Sequence, residues 1–344
     1  MAPGEASVPL PKAFLRWFAE KGWQPRVHQL ELLSRARTGE SLLLIAPTGA
    51  GKTLAGFLPS LTELADRGRP APGTPFTGIH TLYISPLKAL AVDIERNLMK
   101  PVTEMGLPIS IENRTGDTPS GKRQRQKLNP PDILLTTPEQ LALLISSKDA
   151  ERFFKDLRYV IFDELHSLVT SKRGHLLSLG LARLRRLAPS MQTIGLSATV
   201  AAPLDLQRWL AGQEPGLERT AGLISVDGGA KPNITILTTE ERIPWSGHSA
   251  RYAMPELYAV LKDFQTTLIF VNTRSQAEML FQELWTINDD NLPIALHHGS
   301  LDVSQRRKVE AAMSENRLRA VVATSTLDLG IDWGDVDLVV HVGA

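Results

Sequence analysis

The apolar run Leu42-Leu-Leu-Ile-Ala46 passes directly into Pro47-Thr-Gly-Ala-Gly-Lys-Thr53. A buried strand that ends in a glycine-rich turn and restarts as a helix leaves few architectures open, because a parallel strand returns to its sheet only through a crossover helix. Gly49 and Gly51 let the backbone turn its amides toward an anion, and a helix beginning near Lys52 adds the positive end of its dipole. Thr48, Gly49, Ala50 and Gly51 form the candidate phosphate cradle, with Lys52 as the ammonium and Thr53 as a magnesium ligand. The pattern is a phosphate loop carrying Ala46 where its simplest form has glycine. Taken alone, these residues also suit an ordinary strand-to-helix turn. The strand before them and the helical pattern after them favour a nucleoside triphosphate.

Further short apolar runs, at Thr81 to Ser85, Ile133 to Thr136, Val160 to Phe162 and Thr193 to Leu196, alternate with segments of helical periodicity. The expected fold class is therefore α/β, with mostly parallel, doubly wound sheets and functional loops at the C-terminal ends of the strands. Pro215 to Pro232 lacks helical periodicity and carries glycine-containing turns. After it, strand-helix alternation restarts at Thr267 to Val271, Pro293 to Leu296, Ala320 to Ala323 and Leu338 to Val342. A chain of 344 residues suits two domains, expected here at 1–227 and 228–344. Arg67 to Gly78, rich in Pro and Gly, is expected as an exposed loop.

The absence of cysteine excludes disulfides, thiol catalysis and cysteine-ligated metals. No apolar run approaches the roughly 20 residues that span a bilayer, and the first residues lack a secretion signal, so no membrane partner and a cytoplasmic location are expected. A net charge of +1 means that any binding of nucleic acid must rest on a local groove rather than on a global basic excess.

Tyr159-Val-Ile-Phe162 is followed at once by Asp163-Glu164-Leu165-His166. Two carboxylates at the end of a buried strand suit phosphoryl chemistry: Asp163 holds magnesium and Glu164 polarises the attacking water. An acidic helix N-terminus would explain the pair in isolation. His166 is a candidate catalytic neighbour; no His-Glu-x-x-His occurs there to make it a zinc ligand.

With Ala46 to Thr53 and Asp163 to His166 in one chain, the sequence resembles superfamily 2 DExH-box helicases. Ser85 to Leu90 looks like motif Ia, Arg114 to Asp117 like motif Ic, Thr136 to Glu139 like motif Ib, and Ser197-Ala-Thr199 like motif III. Ile269 to Arg274 resembles motif IV, His297 to Leu301 motif IVa, and Ala323 to Asp332 motif V. The wording of Ser85 to Leu90, His297 to Leu301 and Leu327 to Val336 is most similar to Lhr-type (large helicase-related) proteins, including a branch associated with a DNA ligase.

The resemblance implies two RecA-like P-loop NTPase lobes that use ATP and Mg²⁺. By the same resemblance, Gln29 reads the adenine edge, since an amide both donates and accepts. Ser197 and Thr199 relay the phosphate state, and Asp328, Gly330 and Asp332 face the nucleotide. One strand of nucleic acid, expected as single-stranded or tailed DNA, is gripped by its backbone at Ser85, Lys88, Arg114, Thr115, Gly116, Thr137, Pro138, Thr273, Arg274, His298, Gly299, Thr324 and Ser325. Travel from 3′ to 5′, a role in DNA repair and partners such as a ligase or nuclease follow from the resemblance alone.

Lys122 to Lys127 and the pair Lys172-Arg173 read as solvated cationic faces, and His297-His298, taken to be without nearby carboxylates or cysteines, as a turn at a strand end. The family's arginine-rich motif VI is not found before Ala344. The second lobe is thus expected to be incomplete, and the loss of an arginine finger is expected to slow hydrolysis by roughly 10³ to 10⁵. A non-catalytic, ATP-responsive nucleic-acid-binding module is the alternative reading, and a double-strand translocase a third.

Overall fold

The computed structural model describes residues 10–47, 49–68, 78–86, 88–198, 200–213, 216–226, 233–239, 250–324 and 336–343. Thr48, Thr199, Ser325, Asp328, Gly330, Asp332 and most of the expected 67–78 loop lie outside the described residues. The chain divides into two compact units, Met1–Ala230 and Lys231–Ala344.

In the first unit, α1 (Lys12–Glu20) and α2 (Val27–Arg37) precede β1 (Leu42–Ile45) and α3 (Lys52–Arg67). There follow β2 (Thr81–Ile84), α4 (Lys88–Glu104), β3 (Ile111–Arg114), α5 (Ser120–Leu128), β4 (Ile133–Thr136), α6 (Pro138–Ile145) and α7 (Ala150–Phe154). The unit is completed by β5 (Tyr159–Phe162), α8 (Leu165–Val169), α9 (Lys172–Leu187), β6 (Gln192–Ser197), α10 (Pro203–Leu210) and β7 (Gly222–Ser225).

The strands form one parallel sheet in the order β3-β4-β2-β5-β6-β1-β7. Burial on both faces explains why the central strands are uninterrupted apolar runs. Alternate residues enter opposite cores. Leu42, Leu44, Tyr83 and Ile161 pack with α1 to α4, whereas Leu43, Ile45, Leu82, Ile84, Val160 and Phe162 pack with α6 to α10.

The sheet order also sorts the motifs. β1, β6 and β5, which lead into the phosphate loop, Ser197 and the acidic pair, are consecutive; β2, β4 and β3, which lead into Ser85, Thr137 and Thr115, occupy the other side. Because all strands are parallel, every one of these loops leaves the same edge of the sheet.

The second unit contains α11 (Met254–Asp263), β8 (Thr267–Val271), α12 (Arg274–Thr286), β9 (Ile294–His297), α13 (Val303–Ser314), β10 (Ala320–Ala323) and β11 (Leu338–Val342). Its strands are parallel in the order β11-β8-β10-β9. The larger core joins Leu257 and Leu261 of α11, Leu280 of α12 and Ile269 and Val322 of the sheet. Met313, Leu268 and Val321 fill the opposite face. No helix among the described residues is long and apolar enough to cross a membrane.

Candidate functional site

The phosphate loop turns on Gly49 and Gly51, both left-handed at φ +75° and +74°, a conformation that L side chains disfavour. Gly51 caps α3, so Lys52 and Thr53 open the helix. The Lys52 ammonium donates to Ala46 O (2.8 Å) and Pro47 O (3.1 Å), folding back over its own loop. Burial lowers the Lys52 pKa, while Glu164 and Asp163 oppose that shift.

The loop is strapped from α2 through three successive carbonyls. Arg26 Nη1 donates to Gly49 O (3.0 Å), His28 Nε2 to Ala50 O (2.9 Å) and Gln29 Nε2 to Gly51 O (3.3 Å). Since a carbonyl only accepts, His28 carries its proton on Nε2. Gln29, expected to read adenine, is buried, and its Oε1 accepts the Arg26 N–H at 2.9 Å. One N–H and one lone pair of that amide are left over for a base.

Asp163 is buried at the end of β5. Its Oδ2 accepts from the Tyr83 hydroxyl and its Oδ1 from the Glu164 N–H at 3.0 Å. Glu164 is a non-glycine residue at φ 45° and ψ 46°, a strained conformation of the kind that collects at functional sites. His166 connects two motifs: Nε2 lies 3.5 Å from Glu164 Oε2 and Nδ1 lies 3.0 Å from Ser197 Oγ. Burial raises the pKa of Asp163, against Tyr83 and the Glu164 N–H; burial and then the Asp163 charge raise that of Glu164. Burial and Lys52 lower that of His166.

A half-buried lysine over phosphate-loop carbonyls, a buried carboxylate with unused lone pairs and a second carboxylate held in a strained backbone form a donor set that suits a magnesium-bound triphosphate. Thr53, in the first turn of α3, and Asp163, at the end of β5, are the candidate metal holders.

At the other side of the sheet, Ser85 is buried beyond β2 and donates its N–H to Thr136 O (3.1 Å). Thr137 precedes α6 as its N-cap and Pro138 opens it; Lys88 opens α4. Thr115 and Thr118 close a turn, with Thr115 N–H donating to Thr118 Oγ1 at 2.9 Å and Asp117 N–H to Thr115 Oγ1 at 3.3 Å. Arg114 is buried beneath it, and burial lowers its pKa, with Arg123 adding to the effect.

The expectation of a solvated face at Lys122 to Lys127 is corrected at Arg123, which donates to Thr118 O and Gly116 O, both at 2.7 Å, and so braces the turn. The same correction applies at Arg173, which bonds Glu139 and Pro86. Tyr83, Arg26 and His28 were also missed. A polar-tipped aromatic inside an otherwise apolar strand is the signal that could have found Tyr83.

In the second unit, Thr273 caps α12, its Oγ1 accepting the Gln276 N–H at 3.2 Å. Arg274 Nη1 donates to Ser300 Oγ (2.5 Å), which ties the turn after β8 to the turn after β9. His298 Nδ1 accepts the Ser300 N–H (3.3 Å) beside exposed Gly299, and Thr324 N–H donates to His297 O (3.3 Å). The view of these histidines as remote from carboxylates is corrected. Helices bring Glu310 to 3.2 Å from His297 Nε2 and Glu278 to 3.2 Å from His298 Nε2. Among the described residues no group of three or more His, Cys, Asp or Glu side chains comes together as a metal-ligand cluster, here or elsewhere.

Comparison with known proteins agrees with this geometry. The DEAD/DEAH box helicase model matches residues 26–206, and the helicase conserved C-terminal domain model matches 253–344. The ATP-dependent helicase Lhr-Core of Methanothermobacter thermautotrophicus is 39% identical over 88% of this chain and 36% of its own length. The Lhr helicase/uracil glycosylase of Escherichia coli is 35% identical over 95% of this chain and 25% of its own. This chain thus spans between a quarter and about a third of these curated relatives. The structure of Mycobacterium smegmatis helicase Lhr bound to ssDNA and AMP-PNP is 36% identical, with a TM-score of 0.75, over 96% of this chain and 44% of that one. The expected RecA-like fold and Lhr-type resemblance are borne out, and with the first model matching over half of its residues this chain belongs to the DEAD/DEAH box helicase family.

Proposed function

We propose that this chain is the motor of an ATP-dependent helicase that moves along single-stranded DNA. The observation that carries the reading is the strand order, in which the phosphate loop, Ser197 and the acidic pair follow three consecutive strands and the hydroxyl-bearing turns follow the next three. Nucleotide chemistry and strand contact then share one rigid sheet.

Bound MgATP supplies the phosphoanhydride to be cleaved and a divalent charge that neutralises the departing phosphate. The amides from Thr48 to Gly51 cradle phosphate, and the Lys52 ammonium exchanges its loop carbonyls for phosphate oxygens. Thr53 and Asp163 hold the metal, and Gln29 meets the adenine with its remaining donor and acceptor. Glu164 orients the attacking water and takes its proton. Burial favours the neutral, protonated carboxyl that this step leaves on Glu164. His166 carries the change at Glu164 to Ser197, and Thr199, Asp328, Gly330 and Asp332 join by motif.

The strand is held through phosphates at Ser85, Lys88, Arg114, Thr115, Gly116, Thr137 and Pro138 in the first unit. Thr273, Arg274, His298, Gly299, Thr324 and Ser325 take the same role in the second. DNA is favoured over RNA by the ssDNA-bound Lhr structure. Movement from 3′ to 5′, work in DNA repair beside a ligase or nuclease, and a cytoplasmic setting extend the Lhr-type resemblance.

The test is fluorescence anisotropy of a labelled oligo-dT with and without Mg²⁺ and AMP-PNP, repeated with Lys52→Ala. The reading expects the nucleotide to change DNA affinity in the wild type and to leave it unchanged in the variant. Equal DNA affinity in both states of the wild type would overturn it.

A further inference from the structure

Arg173 belongs to none of the helicase motifs. It is the second residue of α9, and its guanidinium makes three bonds: Nε to Glu139 Oε1 at 2.5 Å, Nη2 to Glu139 Oε2 at 3.0 Å, and Nη1 to Pro86 O at 2.5 Å. Pro86 lies in the turn after β2 and Glu139 in the first turn of α6, after β4. One side chain therefore fastens the two turns that carry Ser85 and Thr137.

The start of α9 is itself fixed. Ser171 caps it, accepting the Gly174 N–H at 3.2 Å and donating to Leu168 O at 2.8 Å. Gly174 presses so close to α8 that a Cβ there would lie 2.2 Å from Leu168 O and 2.8 Å from Val169 O. α8 is the helix that Glu164 caps. A continuous set of contacts thus runs from the acidic pair through α8 and the start of α9 to Pro86 and Glu139.

An isolated exposed ion pair contributes little. Here a planar fork grips a carboxylate with two donors and a backbone carbonyl with a third, which fixes direction as well as distance. Burial pushes the Glu139 pKa up, yet the bond from Arg173, together with Glu139's own backbone N–H and Thr137, leaves it below its ordinary value.

We infer that Arg173 is a positioning residue of the strand track, a clasp that holds the Pro86 and Thr137–Glu139 turns in fixed relation to α8. This rests on the proposed reading of those turns as contacts for single-stranded DNA. A lysine at this position keeps the charge but supplies no planar fork. A clasp and a direct phosphate contact therefore make opposite predictions for Arg173→Lys.

The experiment measures oligo-dT affinity by anisotropy across a salt series for the wild type, Arg173→Lys, Arg173→Ala, Glu139→Gln and the Arg173→Ala/Glu139→Gln double variant. Affinity for a fluorescent ATP analogue and the melting temperature are measured in parallel. The clasp predicts that Arg173→Lys, Arg173→Ala and Glu139→Gln each weaken DNA binding by about 5- to 20-fold, and that the double variant is little worse than either alone. Analogue affinity stays within about twofold of the wild type, which also reports an intact fold.

Wild-type DNA affinity in Arg173→Lys, with Arg173→Ala lowering the salt slope by about 1, would overturn the clasp in favour of a phosphate contact. Wild-type affinity in Glu139→Gln would overturn it too. Should the wild type itself fail to bind oligo-dT while binding the analogue, the reading of the track fails and takes the clasp with it.

Discussion

The Tyr83 hydroxyl donates to Oδ2 of Asp163, joining β2 to the end of its neighbour β5 at the site expected to hold the metal. Tyr83 is fully buried and stacks on Phe57 of α3 with ring centroids 5.3 Å apart and planes 24° apart. The helix that opens with Lys52 and Thr53 therefore packs on the ring that orients Asp163. Tyr83→Phe removes the donor but keeps the ring, which leaves a buried carboxylate with one bond fewer and costs about 1–3 kcal/mol. Asp163 also loses the bond that orients it, and a misoriented carboxylate is a weaker metal ligand. The variant is expected to need several-fold more Mg²⁺ for half-maximal ATP hydrolysis, and an unchanged magnesium titration would contradict the assignment.

At Gly51 two constraints coincide, φ at +74° and a would-be Cβ 2.8 Å from Gln29 Nε2. Gly51→Ala is expected to cost about 1–2 kcal/mol in backbone strain alone. It should also displace Gln29 from the loop and weaken nucleotide binding by about tenfold or more. Titration with a fluorescent ATP analogue checks this, and wild-type affinity would show that neither constraint matters.

Gly174→Ala tests the packing that supports α9. Its Cβ would meet backbone carbonyls of α8, which cannot rotate away as a side chain can. A loss of about 1–3 kcal/mol is expected in chemical denaturation. A variant as stable as the wild type would mean that α8 and α9 shift apart freely.

Far from these loops, at the opposite ends of β2 and β5, Glu63 meets His80 at 3.4 Å and Arg158 at 3.5 Å. The contact with His80 lowers Glu63 from its ordinary 4.5 to about 2, against the opposing effect of burial. A carboxylate depressed in the folded state stabilises it above the unfolded value. That contribution is full above pH 4.5 and declines as pH falls toward 2. Glu63 is 33% exposed, and allowing for solvent screening its contribution is about 1–2 kcal/mol. The stability difference between wild type and Glu63→Gln should shrink as the pH is lowered through this window. A constant difference would contradict the linkage.

The central strands were legible because burial on both faces demands apolar residues at every position, as in Leu42 to Ile45 and Ile133 to Leu135. The two strands not anticipated, β3 and β7, are the two edges of the sheet. An edge strand has one neighbour and one covered side, so Ile111-Glu-Asn-Arg114 and Gly222-Leu-Ile-Ser225 carry polar or glycine residues and only partial burial.

The same distinction holds at the site. Lys52, Asp163 and Glu164 stand in local patterns that chemistry requires, and they could be read directly. Tyr83, Arg123 and Arg173 act through partners that the fold brings from other segments: Asp163, Gly116 and Pro86. Charge runs such as Lys122 to Lys127 hide which member faces a loop, because only the rotation of α5 decides it.

The proposed role of Glu164 is to drive ATP cleavage in a motor that responds to single-stranded DNA. Single-turnover hydrolysis of ATP by excess protein, with and without oligo-dT, for wild type and Glu164→Gln, tests it most directly. DNA is expected to accelerate cleavage by the wild type, and Glu164→Gln to bind nucleotide normally but cleave it at least about 10²-fold more slowly. Cleavage by Glu164→Gln at the wild-type rate, or a wild-type rate indifferent to DNA, would contradict it.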